Sequence, residues 1–347
     1  MSDPTAGDPP TAAPASTAPM APSSGSAVPP DRPAMPLRRV RDALRRGGIV
    51  IPFVITLVAL SVISPSFLRF QNLANILDQQ AGIIIVAAAG TLVLIAGGID
   101  LSIGAIYGLA GATAAQVSTS VSVPVGIVAA IAVGLLVGLI NGVIVTRFRI
   151  NALIGTLAMS FVVSGVGAIV TKGNLIVVFD HPEFQVFAAT KILGVTSAAW
   201  MMIAVAIAGT IVLSRSTFGR YVYATGGNAE AARLGGVRIN TIRIATFALS
   251  GAAAALAGSI DASRVLSAQA SAGQFLTFTV LTGIIVGGTS INGGEGSVQR
   301  TVVGCLFVAL VANGFNLLGL DPFYQQITLG VILLLAVGTD AWSRRLD

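Results

Sequence analysis

Ten apolar segments, free of lysine and arginine, run through this chain: residues 48–64, 81–98, 102–119, 123–146, 151–171, 197–214, 244–263, 276–291, 301–319 and 324–341. A spanning helix needs about 20 residues. The pattern therefore predicts an all-α, polytopic membrane protein of about ten transmembrane helices. Several segments are short or broken by glycine, which leaves their ends loose by a few residues. The polar intervals include 64–80 and the long stretch 172–196 on one side and 215–243 on the other, and all three are expected to be loops outside the membrane.

The flanks are different in kind. Residues 1–36 are mostly Pro, Ala, Ser and Thr, with few large apolar side chains. Such a segment cannot bury enough surface to offset its ordering entropy, so it reads as a disordered cytoplasmic tail. No apolar core follows the first residues, which argues against a signal peptide. Residues 37–47 are a basic juxtamembrane segment, expected on the anionic inner leaflet. The membrane domain then covers 48–341, and residues 342–347 form a short cytoplasmic end.

Charge fixes the orientation. With the N-terminus inside, the inner intervals hold sixteen of the 20 basic residues, and the outer ones hold only Arg69, Lys172, Lys191 and Arg264. Cytoplasmic loops carry the excess of Lys and Arg, so both termini are expected to be cytoplasmic. The net charge of +6 is thus a topology signal and not a nucleic-acid one. Composition agrees: 54% hydrophobic, 10% charged, mean hydropathy +0.87, against about 25% charged in a soluble domain. The 40 glycines suit close helix approach in lipid. The single cysteine, Cys305, excludes a disulfide framework and reads as a small packed residue. His181 stands alone in a polar loop, without a partner for zinc or a catalytic triad.

Interval 215–243 is the longest polar break in the C-terminal half and carries five arginines and one acid. Its middle reads as a short helix. Asn228 is a good N-cap, and Glu230 sits in the first turn, where the helix dipole favours an anion. Ala229, Ala231, Ala232 and Leu234 give a small apolar surface beside Arg233, and Gly235 and Gly236 stop the helix. Glu230-Ala231-Ala232, three residues, then Gly236 resembles the Glu-Ala-Ala-x-x-x-Gly motif of ABC importer permeases, in the branch that imports ribose and other simple sugars.

Three further stretches resemble the same family. Residues 94–104, containing Gly97-Gly98-Ile99-Asp100-Leu101-Ser102, are similar to its Gly-Gly-Ile-Asp-Leu-Ser word. Residues 286–297, with Thr289 and Ser290, are similar to its Gly-Gly-Thr-Ser signature. Residues 313–326, with Asn313, Asn316 and Gln325, are similar to its Asn-Gly-x-Asn-Leu-Leu-Gly segment. Asn141-Gly142, at the end of the fourth segment, also fits. The resemblance covers residues 50 to 341. No Leu-Pro follows the coupling motif, unlike in some other importer branches.

Asp100 is the only acid between Gln79 and Phe179. An acid at the bilayer centre costs about 2.5–3.5 kcal/mol, so Asp100 must face protein, water or a helix end. Capping the third segment and contacting substrate are both open to it. Asn141, Asn151 and Thr156 suit hydrogen bonds between helices. Asn313, Asn316 and Gln325 suit either sugar hydroxyls or helix-end bonding. The glycine-dense 286–297 echoes 96–104, which hints at an internal repeat.

The resemblance implies a multi-pass permease of the bacterial inner membrane that carries a monosaccharide by alternating access. It implies a second permease copy, a separate ATPase subunit that binds ATP and Mg, and a periplasmic or lipid-anchored sugar-binding protein. The helix around residues 228–236 would couple to the ATPase. The sequence itself holds no phosphate-cradling Gly-x-x-x-x-Gly-Lys, no lysine after residue 191 and no visible nucleophile or acid–base pair. No cofactor and no nucleic-acid partner is expected of this chain. The competing class is an ion-gradient-driven transporter of a small polar solute, with Asp100 as ion carrier. A channel would want a filter word, and none is present.

Overall fold

The computed structural model describes residues 49–345, with side chains to residue 338. The expected tail 1–36 and juxtamembrane segment 37–47 lie outside the described residues, as do 346–347.

Among the described residues each apolar segment holds one helix. These are α1 (Val50–Ile63), α2 (Phe70–Ile95), α3 (Ile103–Ser120), α4 (Val123–Arg147) and α5 (Ala152–Thr171). After α6 (Pro182–Ala189) come α7 (Ser197–Arg215), α8 (Thr217–Gly227), α9 (Ala229–Leu234) and α10 (Ile239–Val265). The chain closes with α11 (Leu276–Val286), α12 (Val298–Leu317) and α13 (Pro322–Arg345). Helices α2, α4, α5, α7, α10 and α12 are long and apolar enough to cross a membrane. The protein is all-α and polytopic. Its only strands among the described residues are two-residue pieces: β1 (Ile176–Val177) pairs antiparallel with β4 (Ser267–Ala268), and β2 (Lys191–Ile192) with β3 (Val195–Thr196).

Three expectations need correction. Interval 64–80 is not all loop, because α2 starts at Phe70, eleven residues before its apolar run. The polar side chains there are used: Asn72 pairs with Asn313, and Asp78 accepts from Thr196. Interval 172–196 contains α6 and the β2–β3 hairpin. The fourth segment does not end at Asn141-Gly142, since α4 continues to Arg147. Both residues are buried and packed, and that contact overrides their turn propensity.

Two helices form the centre. Helix α10 lies against α4, α3 and α2, and α2 lies against α7, α11 and α12. The reason for α10 is its run of small residues, with Gly251, Ala254, Ala255, Ala257, Gly258 and Ser259 buried. At Gly134 of α4 and Gly251 of α10 the backbones touch, so a Cβ on either would run into the other's carbonyl oxygen. In lipid this close approach is what small residues provide. Gly134→Leu should therefore cost about 1–3 kcal/mol by overpacking, read as a lower unfolding midpoint in detergent. Val128, on the same helix and 67% exposed, is the control: Val128→Leu should leave the midpoint in place. An unchanged midpoint for Gly134→Leu would refute the α4–α10 contact. The outer helices turn large apolar side chains outward, such as Phe161 and Ile169 of α5.

Helices α2 and α11 end in the same way. At α2, Gly98 N–H donates to Val93 O and Gly97 N–H to Leu94 O; at α11, Thr289 N–H donates to Ile284 O and Gly288 N–H to Ile285 O. Gly97 and Gly288 take φ of 78° and 81°, the left-handed turn that glycine enters without a Cβ penalty. The echo between residues 96–104 and 286–297 is thus also geometric.

Candidate functional site

The polar interval 215–243 folds into more than one short helix. It opens with α8, capped by Ser216, whose Oγ accepts from Gly219 N at 3.0 Å. Composition hid this helix, because Gly219, Gly226 and Gly227 lower its propensity. Tertiary contact supplies what propensity lacks: Val222 and Thr225 are buried, and a Cβ on Gly226 would collide with Ile95 O.

Helix α9 follows. The Asn228 side chain accepts from Ala231 N at 3.0 Å, which is the N-cap bond of a short helix. The chain leaves the helix at Gly236, with φ 85° and open space around it, while Gly235 keeps an ordinary negative φ. No residue of α9 is buried. Glu230, Ala231, Arg233, Leu234, Gly235 and Gly236 are exposed, whereas Ala229 and Ala232 are half-covered. Leu234 is 77% exposed. Glu230 grips Arg233 through two bonds, Oε1 to Nη2 at 2.6 Å and Oε2 to Nε at 3.2 Å. The Arg233 hydrogen bond and charge hold the Glu230 carboxyl below its ordinary range. The result is a solvent-facing helix with a fixed ion pair on one side and a bare leucine at its end.

Beneath it three bonds gather neighbouring ends: one from α8 to the 287–297 linker, one from α10 to the end of α2, and one from that linker to α2. Tyr223 Oη donates to Gly296 O at 2.8 Å. Arg243 Nε donates to Ala96 O at 3.3 Å. Gly294 N–H donates to Ile95 O at 2.8 Å. Helix α8, the C-terminal end of α2 and the 287–297 linker therefore meet at one joint. Thr289 and Ser290 lie buried in that linker, and Thr289 Oγ1 has no hydrogen-bond partner among the described residues.

Just beyond the joint lies a buried polar knot. Asp100 Oδ1 accepts from Ser102 N at 3.0 Å and Ser102 Oγ at 2.7 Å, and its Oδ2 accepts from Ser250 Oγ of α10 at 2.8 Å. Asn141 Nδ2 of α4 donates to Ser102 Oγ at 2.7 Å. Thr156 Oγ1 of α5 accepts from Leu101 N at 3.0 Å. Asp100 thus holds the entry to α3, but through Ser102 N and not through the next turn. Its second oxygen ties α3 to α10. A small cavity beside it is lined by Gly90, Gly98, Asp100, Ser250 and Ile284.

The remaining polar candidates sit elsewhere. Asn313 pairs with Asn72 through two amide bonds, at 2.9 and 3.1 Å, and Gln325 donates to Asn316 at 2.8 Å. Asn151 caps α5 through Leu153 N at 2.9 Å. The candidates thus fall into three places: Asp100, Ser102 and Asn141 together, Thr289 and Ser290 near the joint, and the amides with their mutual partners. Cys305 is buried, and His181 pairs with Glu183. Among the described residues, no group of three or more His, Cys, Asp or Glu could hold a metal.

One cluster escaped sequence reasoning. Arg264 of α10 donates to Asp261 at 2.5 Å and to Asp78 O of α2 at 3.2 Å, and its Nη1 lies 3.8 Å from Asp78 Oδ2. These residues and Tyr107 line a cavity of about 120 Å³. The available signal was the Asp-x-x-Arg pair of residues 261 and 264 on one helical face, but Arg264 counted only as an outer charge.

Comparison with known proteins gives a consistent answer. The family described as "Branched-chain amino acid transport system / permease component" matches residues 72–337. The chain is 38% identical over 295 residues to the ribose import permease protein of Escherichia coli, covering 84% of this chain and 92% of that protein. It is 35% identical over 299 residues to the ribose import permease protein of Bacillus subtilis, with 86% and 93% covered. It is 34% identical over 302 residues to the L-arabinose transport system permease protein of Escherichia coli, with 86% and 91% covered. No solved structure matches. The resemblance seen in the motifs extends across the helical membrane domain, and the chain belongs to the permease-component family of ABC import systems, alongside the ribose and L-arabinose permeases.

Proposed function

We propose that this chain is the membrane-spanning permease of a monosaccharide importer, moving a ribose-like sugar across the bacterial inner membrane by alternating access. Exposed helix α9, joined through α8 to the end of α2, is the observation that carries the reading. It presents Glu230, Ala231, Arg233, Leu234, Gly235 and Gly236 to a partner, with Asn228 as its cap and Ala232 half-covered. The partner is a separate ATPase, which binds the ATP and Mg. ATP-driven movement of α9 passes through the joint to α2 and to the α2–α3 break at Asp100. The chain itself makes and breaks no covalent bond.

In this reading all ten apolar segments span the membrane, both termini are cytoplasmic, and lipid covers outward side chains such as Phe161. Two copies of the chain form the pathway. A periplasmic or lipid-anchored binding protein delivers the sugar. Orientation rests on the sixteen-to-four distribution of basic residues. The fold gathers residues 96, 226, 243 and 294 in one place and Asp78, Thr196 and Arg264 in another, and this reading assigns the first to the inner side and the second to the outer.

The test is energy input. Proteoliposomes holding the permease, its ATPase and its binding protein should take up D-ribose or L-arabinose only with ATP. Vesicles holding the permease alone should take up neither under a proton or sodium gradient. Gradient-driven uptake by the chain alone would establish the secondary-transporter class instead.

A further inference from the structure

We propose that the cavity between α2, α3, α10 and α11 is a binding site for one neutral monosaccharide in ring form, a stopping point at the outer end of the pathway. The inference rests on the sugar-permease reading and adds a location and chemistry to it. The cavity measures about 120 Å³, and its polar lining is Asp78, Gln79, Tyr107, Asp261 and Arg264. Its floor is apolar and fully buried at Ala257 and Ile260. A sugar ring has this same division, with C–H faces and a hydroxyl rim. Ligand sites generally combine an apolar lining with a few placed polar groups.

The charges select the ligand class. Asp78 Oδ1 already accepts from Thr196 Oγ1 at 2.7 Å, and Asp261 Oδ1 is held by Arg264. Each carboxylate keeps spare acceptor capacity, and the guanidinium, with five N–H groups, keeps spare donors. Tyr107 stands beside Asp261. The Gln79 side chain is exposed at the mouth, offers both a donor and an acceptor, and has no hydrogen bond among the described residues. The two carboxylates against one guanidinium disfavour a free anion, and a small cation held by the carboxylates would leave the apolar floor at Ala257 and Ile260 uncovered. A zwitterionic amino acid would have to pull Arg264 off Asp261. Neutral hydroxyls both donate and accept, so vicinal hydroxyls satisfy the carboxylates and the guanidinium without breaking the existing bonds.

Gln79 is the position to probe, because substitution there disturbs no bond in the fold. In a Cys305→Ala background, Gln79→Cys should react with a membrane-impermeant maleimide added outside. Millimolar D-ribose or L-arabinose should slow that reaction severalfold, and millimolar leucine should not. In proteoliposomes with the ATPase and binding protein, attaching a bulky maleimide should abolish uptake by the variant. Labelling that sugars do not slow, in an assembly whose wild-type form takes up sugar with ATP, would overturn the site and leave the transport reading standing. Slowing by leucine alone would overturn the proposed ligand class. Slowing by sugar in an assembly whose wild-type form takes up no sugar would keep the site and overturn the transport reading.

Discussion

Replacing Leu234 by aspartate, or Ala231 by tryptophan, is expected to abolish uptake while the protein still inserts and folds. Both side chains point into solvent from α9, so neither change costs the permease a contact of its own. The loss falls on the partner. Burying a leucine contributes about 1.5–3 kcal/mol, which corresponds to roughly ten- to hundredfold in affinity. Aspartate removes that gain and places an unpaired charge in the interface. Tryptophan is expected to overfill the proposed partner cleft, which in this reading receives only a methyl group. Ala232→Trp acts differently, because Ala232 is half-covered; there part of the expected damage falls on the permease itself. The measurement is co-purification with the ATPase together with uptake in the same cells. Full uptake by both outward-facing variants would reduce α9 to a capped surface helix with no coupling role.

The second large effect belongs to Asp100. Asp100→Leu should prevent stable assembly, whereas Asp100→Asn should insert and transport. Three donors converge on the carboxylate, from Ser102 N, Ser102 Oγ and Ser250 Oγ. Leucine orphans all of them in a buried site, at about 1–3 kcal/mol for each unsatisfied group. Asparagine keeps one oxygen for the two Ser102 donors. Its amide nitrogen then faces Ser250, whose hydroxyl can turn and accept. Protein yield after size exclusion in detergent separates the two variants. An Asn variant that assembles normally and carries no sugar would show that the negative charge itself works in transport, as the ion-carrier alternative requires.

Most of the helices were legible, and the reason is physical. Lipid forces every backbone group to be satisfied within its own segment, so hydropathy alone locates helices such as α4, α5 and α7. The cap at Asn228 was legible too, because capping is local chemistry. What stayed hidden depends on partners distant in sequence. The polar start of α2 is stabilised by Asn313 and Thr196, which lie 241 and 118 residues from the side chains they bond. Helix α8 is glycine-rich and exists because Ile95 and the 287–297 linker receive it. Ala231 and Ala232 looked equivalent in sequence, and only their exposure in the fold separates them. The cluster around Arg264 needs α2 and α10 side by side, and no local pattern announces that.

The joint where α8, α10, the end of α2 and the 287–297 linker meet has one more property. All three of its hydrogen bonds end on main-chain carbonyls: Ile95 O, Ala96 O and Gly296 O. Only Tyr223 and Arg243 contribute side chains. The acceptors at 95 and 96 are main-chain atoms, so the side chains there, both buried, serve packing and not the bonds themselves. Helix α9 buries no residue in this socket. On the function proposed above, exchanging α9 and its flanks should rewire the permease to a foreign motor while the socket stays native.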